Sequence, residues 1–212
     1  MKKTLLKRII RYFIQIVILL VVVLGLVTFM FTSPILYANL YQRPSTQPRV
    51  CIIGHRGGAG LAPENTLAAF RKALSYQVDR IELDVQQTRD GVIVVIHDSE
   101  LARTTSGTGK VGELNYDQIR QFDAGSKFDA KYQSEKIPTL EEVISLINGQ
   151  CELVIEIKYY PGYKSSTEDK ILQLINTYQA QKWCILMSFD DEILERIHQR
   201  NPQIILHKAF FR

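Results

Sequence analysis

Cysteine is scarce: the 212-residue chain has three, Cys51, Cys151 and Cys184. They are odd in number, widely spaced and set in or beside apolar runs. That excludes a disulfide framework and a cysteine-based zinc site, and makes buried free thiols the expectation. Acidic residues are missing altogether from positions 1–50, which hold seven of the 26 Lys/Arg. The remaining 162 residues therefore carry 19 basic against 22 acidic side chains, a net charge of −3. So mild an acidity offers no footprint for a nucleic-acid backbone and excludes nucleic acid as the expected partner. No internal repeat is evident. Two ligand loops are also lacking. TSGTGK (Thr105 to Lys110) has Thr104 and Val111 where a phosphate loop needs glycine and Ser/Thr, and Asp123 to Asp129 lacks the pattern of a calcium loop.

What is present begins with a basic segment, residues 1–11, followed by Tyr12 to Phe31, twenty residues in which only Gln15 and Thr28 are polar. That length and apolarity suit a transmembrane helix over 12–31. A cleaved signal peptide would have a shorter core, and the best candidate cut, after Ala38, has Leu36 where a small residue is wanted. The expectation is an uncleaved, single-pass cell-membrane anchor with its N-terminus in the cytoplasm and the remainder outside it. Residues 32–49, with three prolines, read as a linker.

From Val50 to the end, residues 50–212, short apolar runs alternate with amphipathic stretches. Strands are predicted at 50–54, 80–86, 92–97, 152–157, 183–188 and 203–206, and helices at 65–76, 139–147, 168–179 and 191–199. Strand and helix in turn imply an α/β domain with a parallel sheet covered by helices. Thr139 with Glu142 fits a capping box, and Asp190 can cap the helix that follows. Arg89-Asp90-Gly91 joins two strands too tightly for a crossover helix and reads as a turn. Residues 99–138 form an insertion rich in glycine, serine and charge, with one short helix at 116–122. A stretch this long is expected to cover the strand ends or to join the substrate site.

Chemistry concentrates at strand ends. Glu82 and Asp84 are two apart on a strand and share a face, while Ile81, Leu83 and Val85 point the other way. Glu156 and Lys158 repeat the pattern on a later strand. Carboxylates turned into a core repel one another and pay desolvation unless a cation lies between them. Three oxygen donors with no thiolate suit a hard divalent cation, Mg²⁺ or Ca²⁺. His55 and His97 each follow an apolar run, at the carboxyl end of a strand where parallel α/β folds keep their reactive groups. The Arg56 fork suits phosphate oxygens, and Gly57 and Gly58 allow close backbone approach to a ligand. His198, on a polar helix, and His207, near the end, read as structural.

GHRGGAGLAPENTLAAF, IELDVQQTRDGVIVVIHD, LARTTSGTG, IPTLEEV and LVIEIK, in that order from Val50 to Phe189, resemble the successive signatures of the glycerophosphodiester phosphodiesterase family. The resemblance implies a TIM-type (β/α)8 barrel, with the insertion after the third strand as a family feature. It implies His55 and His97 as an acid/base pair, Glu82, Asp84 and Glu156 as metal ligands, and Arg56 and Lys158 as phosphate-binding cations. The implied activity is metal-dependent hydrolysis of glycerophosphodiesters, small molecules or lipid-derived, to glycerol 3-phosphate and an alcohol. The attacking group would be the substrate's own glycerol hydroxyl, through a cyclic phosphate that water opens. A phosphatidylinositol phospholipase C-like lyase, which would stop at the cyclic phosphate, is the second enzymatic reading.

Eight strands and about 250 residues make a complete barrel. Six strands are predicted here, and the family's closing WTVN-like and GIITD-like segments are absent. The expectation is a barrel lacking its last two strands, a fragment or truncated product. A non-catalytic, membrane-tethered binding protein is therefore the alternative outside enzymes.

Overall fold

The computed structural model describes Tyr12, residues 15–25, Thr28, and residues 50–160, 163–164 and 166–210. Two compact units divide at Val50. In the first, residues 15–25 are helical. Among the described residues no helix is long and apolar enough to cross a membrane. The expected span 12–31 lies partly outside the described residues, and the basic segment 1–11 and linker 32–49 lie wholly outside them.

The second unit builds one six-stranded sheet from β1 (Ile53–Gly54), β2 (Arg80–Gln87), β3 (Ile93–Val95), β4 (Glu152–Ile157), β5 (Cys184–Ser188) and β6 (Ile205–Lys208). The main path is β1-β2-β4-β5-β6 with every neighbouring pair parallel. Helices α1 (Leu67–Ser75), α2 (Tyr116–Ile119), α3 (Leu140–Ile147), α4 (Ser166–Thr177) and α5 (Asp191–Arg200) complete the regular structure. Four of the helices pack on one face of the sheet. Ile81, Leu83, Val85, Leu153, Ile155 and Leu186 point into the same buried cluster as Phe70 of α1, Ile144 of α3, Ile171 of α4 and Ile197 of α5. The alternation read from IELDV and LVIEI therefore decides the layering: branched apolar chains go outward to the helices, and carboxylates go to the opposite face.

The predicted third strand needs correction as a barrel stave. β3 pairs antiparallel with β2, Val85 opposite Val95 and Gln87 opposite Ile93, and lies off the parallel path. Thr88 and Asp90 close the turn, Gly91 donates its N–H to the Thr88 carbonyl at 3.1 Å, and its φ of 90° suits glycine. Five parallel strands, not six, are thus present among the described residues. Two helix starts follow expectation. Thr139 Oγ1 accepts from Glu142 N at 3.1 Å while Glu142 reaches back to Thr139 N at 2.8 Å, and Asp190 accepts from Ile193 N at 3.0 Å.

The insertion has a small core of its own, in which Leu101, Val111, Ile119 and Ile137 pack with Val94 and Ile96. The expectation of three buried thiols also fails in part. Cys184 is buried and Cys151 half-buried, but Cys51, just before the two-residue β1, is exposed, and all three are free.

Candidate active site

Parallel pairing sets Asp84 of β2 directly beside Glu156 of β4, with Glu82 one pleat earlier on the same face. One ligand oxygen from each of the three lies within 4.8 Å of the others, and all three side chains are buried. So much negative charge under so little water is costly. Burial, and then repulsion by Asp84, push the Glu82 carboxyl up to about 7. Lys158 answers part of it: its Nζ is 2.8 Å from Asp84 Oδ1 and also contacts Glu156. Burial alone would lower this ammonium, yet the two carboxylates raise it above the ordinary lysine value. The donor set of three buried carboxylates, still short of neutralising charge, fits a hard divalent cation.

His55 and Arg56 leave β1 in a tight 3₁₀ turn. Arg56 itself is left-handed, φ 50° and ψ 39°, a conformation that side chains with a Cβ adopt at a cost. The strain aims one residue at the carboxylates from both its main chain and its side chain. Its N–H donates to Glu82 Oε2 at 2.8 Å, while Nε is 3.6 Å from Asp84 Oδ2 and Nη1 is 2.8 Å from Glu64 Oε1. His55 Nε2 is 3.9 Å from Glu82 Oε2. Desolvation, and then the Arg56 charge, hold this imidazole below its usual range. Gly57 is needed for a reason other than the one its sequence suggests: at φ 76°, an added Cβ would lie 2.7 Å from the Phe70 ring. The close approach is to α1 rather than to a ligand.

His97 sits beyond β3, where the β2–β3 hairpin returns it to the same end of the sheet. Gln86 Nε2 donates to the carbonyls of Ile96, His97 and Asp98, and Tyr160 Oη donates to the His97 carbonyl at 2.8 Å, so the backbone here is held from two sides. His97 Nδ1 is 2.6 Å from Asp98 Oδ1. Arg103, and then His97 itself, hold Asp98 down at about 2, so it is an acceptor and Nδ1 must carry the proton. Nε2 is left as the imidazole nitrogen free to exchange a proton.

His55, Arg56, Asp84, His97, Glu156 and Lys158 line one cleft of about 530 Å³, whose far wall includes Tyr159, Tyr160 and Phe189. Glu82 lies beneath, within the carboxylate trio. The structure thus brings all seven sequence-derived candidates together. His198 and His207, read as structural, do not line this cleft.

Several residues of the site escaped the sequence reading. Asn65, also left-handed at φ 57°, donates from Nδ2 to Asp84 Oδ2 at 2.8 Å. Glu64, Asp98, Arg103, Gln86 and Tyr160 were likewise passed over. The signal for Asn65 lay in Pro63-Glu64-Asn65-Thr66, where an asparagine precedes the helix-capping Thr66, since asparagine tolerates the left-handed region better than most residues. Asp98, directly following His97, was the plainest hint of an orienting carboxylate.

Residues 55–210 match the Glycerophosphoryl diester phosphodiesterase family. A glycerophosphodiester phosphodiesterase of Caldanaerobacter subterraneus subsp. tengcongensis is 42% identical over 161 residues, covering 74% of this chain and 65% of the relative. A Bacillus subtilis glycerophosphodiester phosphodiesterase is 34% identical over 207 residues, 90% of this chain and 69% of its own length. The chain therefore spans about two thirds of the length of these relatives. Among solved structures, an Oleispira antarctica phosphodiesterase in complex with the product sn-glycerol-3-phosphate superposes with a TM-score of 0.71 at 33% identity, covering 74% of this chain and 64% of that one. Glycerophosphodiester phosphodiesterase from Agrobacterium tumefaciens gives 0.69 at 34% identity, with 74% and 66% covered. The sheet and its helices are accordingly of the TIM-barrel type, and the chain belongs to the glycerophosphoryl diester phosphodiesterase family.

Proposed function

We propose that this protein hydrolyses glycerophosphodiesters to glycerol 3-phosphate and an alcohol, with Mg²⁺ or Ca²⁺ held by Glu82, Asp84 and Glu156. The observation that carries this reading is the convergence of three buried carboxylates with two histidines and two cations in one cleft. A bound divalent cation would polarise the phosphodiester and neutralise its charge. The protein's residues do the rest. Arg56 and Lys158 bind phosphate oxygens, and their carboxylate partners fix where those cations point. His55 and His97 exchange protons with the attacking and leaving oxygens, one as base and the other as acid. Asp98 presents His97 by its Nε2. The attacking oxygen is the substrate's own glycerol hydroxyl, and water opens the resulting cyclic phosphate.

Residues 12–31 are proposed to anchor the protein in the cell membrane, with 1–11 cytoplasmic and the cleft outside. Support comes from an apolar stretch of bilayer length flanked by five basic residues. The experiment is a coupled assay for sn-glycerol 3-phosphate released from glycerophosphocholine, with EDTA and with Mg²⁺ or Ca²⁺ restored. Metal-dependent release is expected. Folded protein with no metal-dependent turnover would refute the enzyme and favour a binding protein, and a cyclic phosphate as final product would favour a lyase.

A further inference from the structure

One side chain from the insertion touches both halves of the cleft's support. Arg103, on a 3₁₀ turn at Leu101–Arg103, reaches Glu64 through Nη1 at 2.9 Å and Nη2 at 2.7 Å. Its Nε contacts Asp98 Oδ2, and Nη2 lies 3.2 Å from Asp98 Oδ1. Each carboxylate has a second duty. Glu64 Oε1 also binds Arg56 Nη1 at 2.8 Å, and Asp98 Oδ1 also binds His97 Nδ1 at 2.6 Å. The chain of contacts runs Arg56, Glu64, Arg103, Asp98, His97, alternating cation and carboxylate up to the imidazole.

We propose that Arg103 is a positioning residue, a single guanidinium that sets the phosphate-binding Arg56 and the proton-transferring His97 relative to each other. This rests on the function proposed above for those two residues. The chemistry supports a fixing role over a surface ion pair. A planar fork with five donors gives paired, directional bonds to Glu64 and to Asp98 in one geometry, whereas an ammonium is a rotating point donor that fixes no orientation. Without Arg103, Glu64 would keep only Arg56 and Asp98 only His97 as the side-chain partners described for them, so each pair could turn together. Arg103 joins segments far apart in the chain, since it is 39 residues from Glu64 in sequence. The insertion is thereby given a task beyond covering the strand ends. It supplies the residue that ties the β1 loop to the β3 loop.

The test has two arms, both on the full chain. In the first, nitrogen NMR of the imidazoles, assigned by comparison with His97→Ala, reads the His97 tautomer without any turnover. The unsubstituted protein is expected to hold the proton on Nδ1, and Arg103→Met to show averaging between tautomers. Glu64→Gln, which keeps Arg103 but weakens its anchor, is the second variant should Arg103→Met not fold, and is expected to average partially. An unchanged His97 signal in a folded variant would overturn the proposal. In the second arm Arg103→Met lowers kcat about 10- to 100-fold, the range for losing a hydrogen bond that orients a functional histidine. KM rises as well, because Arg56 loses its support. Arg103→Lys recovers each effect only in part, since a single nitrogen cannot reproduce the paired bonds the guanidinium makes to each carboxylate. Full recovery of both by lysine would overturn the clamp. If the unsubstituted protein shows no turnover, the proposed function fails while the imidazole arm still decides the positioning role.

Discussion

Removing the cation and raising the pH should weaken the fold through one identifiable group. Glu82 is buried beside Asp84 and Glu156, and its carboxyl is pushed from 4.5 to about 7 in the absence of metal. In the unfolded chain it returns to the ordinary value. Between these two limits the native protein binds more protons than the unfolded one, so stability falls as pH rises, and the loss is complete above about 7. A shift of this size corresponds to about 3 kcal/mol, at about 1.36 kcal/mol per pH unit. That is a large share of the ~5–15 kcal/mol by which domains are stable. The assay is urea unfolding of EDTA-treated protein at pH 5 and pH 8, beside Glu82→Gln, which keeps the acceptor for Arg56 N–H but cannot ionise. Titrations away from the carboxylate trio are common to both proteins, so the difference between their pH slopes isolates Glu82 together with its coupling to Asp84 and Glu156. Part of the shift lies below pH 5, so the unsubstituted protein is expected to lose about 2.5 kcal/mol more than the variant on going from pH 5 to pH 8. Adding Mg²⁺ or Ca²⁺ should restore most of that loss at pH 8 and little at pH 5, where a proton already neutralises the cluster. Equal slopes for the two proteins would refute the reasoning, as would a metal response independent of pH.

Gly57→Ala is expected to lower stability by about 1–3 kcal/mol, because the new Cβ meets the Phe70 ring in a left-handed backbone. Gly58→Ala, at φ 93° but with no atom nearer than 3.8 Å, should cost less, and a thermal melt ranking the two in the opposite order would contradict the packing argument. Thiol labelling should proceed in the order Cys51, Cys151, Cys184. Cys51 is exposed, whereas burial pushes the Cys151 thiol up to about 11 and Cys184 to about 12, so reaction of Cys184 before unfolding would show that its surroundings are mispacked. His97→Ala is expected to reduce turnover at least 100-fold while calorimetric binding of the divalent cation stays within a few-fold, since His97 is not among the clustered ligands. Near-normal turnover would remove His97 from the mechanism.

The parts of this site that were legible in the sequence are those governed by local periodicity. Strand alternation has a period of two, so IELDV and LVIEIK place Glu82, Asp84, Glu156 and Lys158 on the face away from Ile81, Ile155 and Ile157 whatever the tertiary fold does. The end of a strand marks His55 and His97 equally well. What periodicity cannot convey is the direction of pairing. VIVVIHD reads as a stave like any other, yet a three-residue turn sends it back along β2, and the count of parallel strands drops to five. It is this reversal that returns His97 to the carboxylate end of β2, so the misread strand is also the one that completes the cleft. Nor does spacing reveal residues whose role is to hold others. Asn65 and Arg56 act from left-handed backbone that neither amino acid requires, and Arg103 acts across 39 residues on Glu64. Groups that do chemistry stand out because a buried charge is anomalous in an apolar run. Groups that orient them sit in polar loops where charge is ordinary, and only the fold distinguishes Arg103 from Arg120, which pairs with Glu142 at the surface.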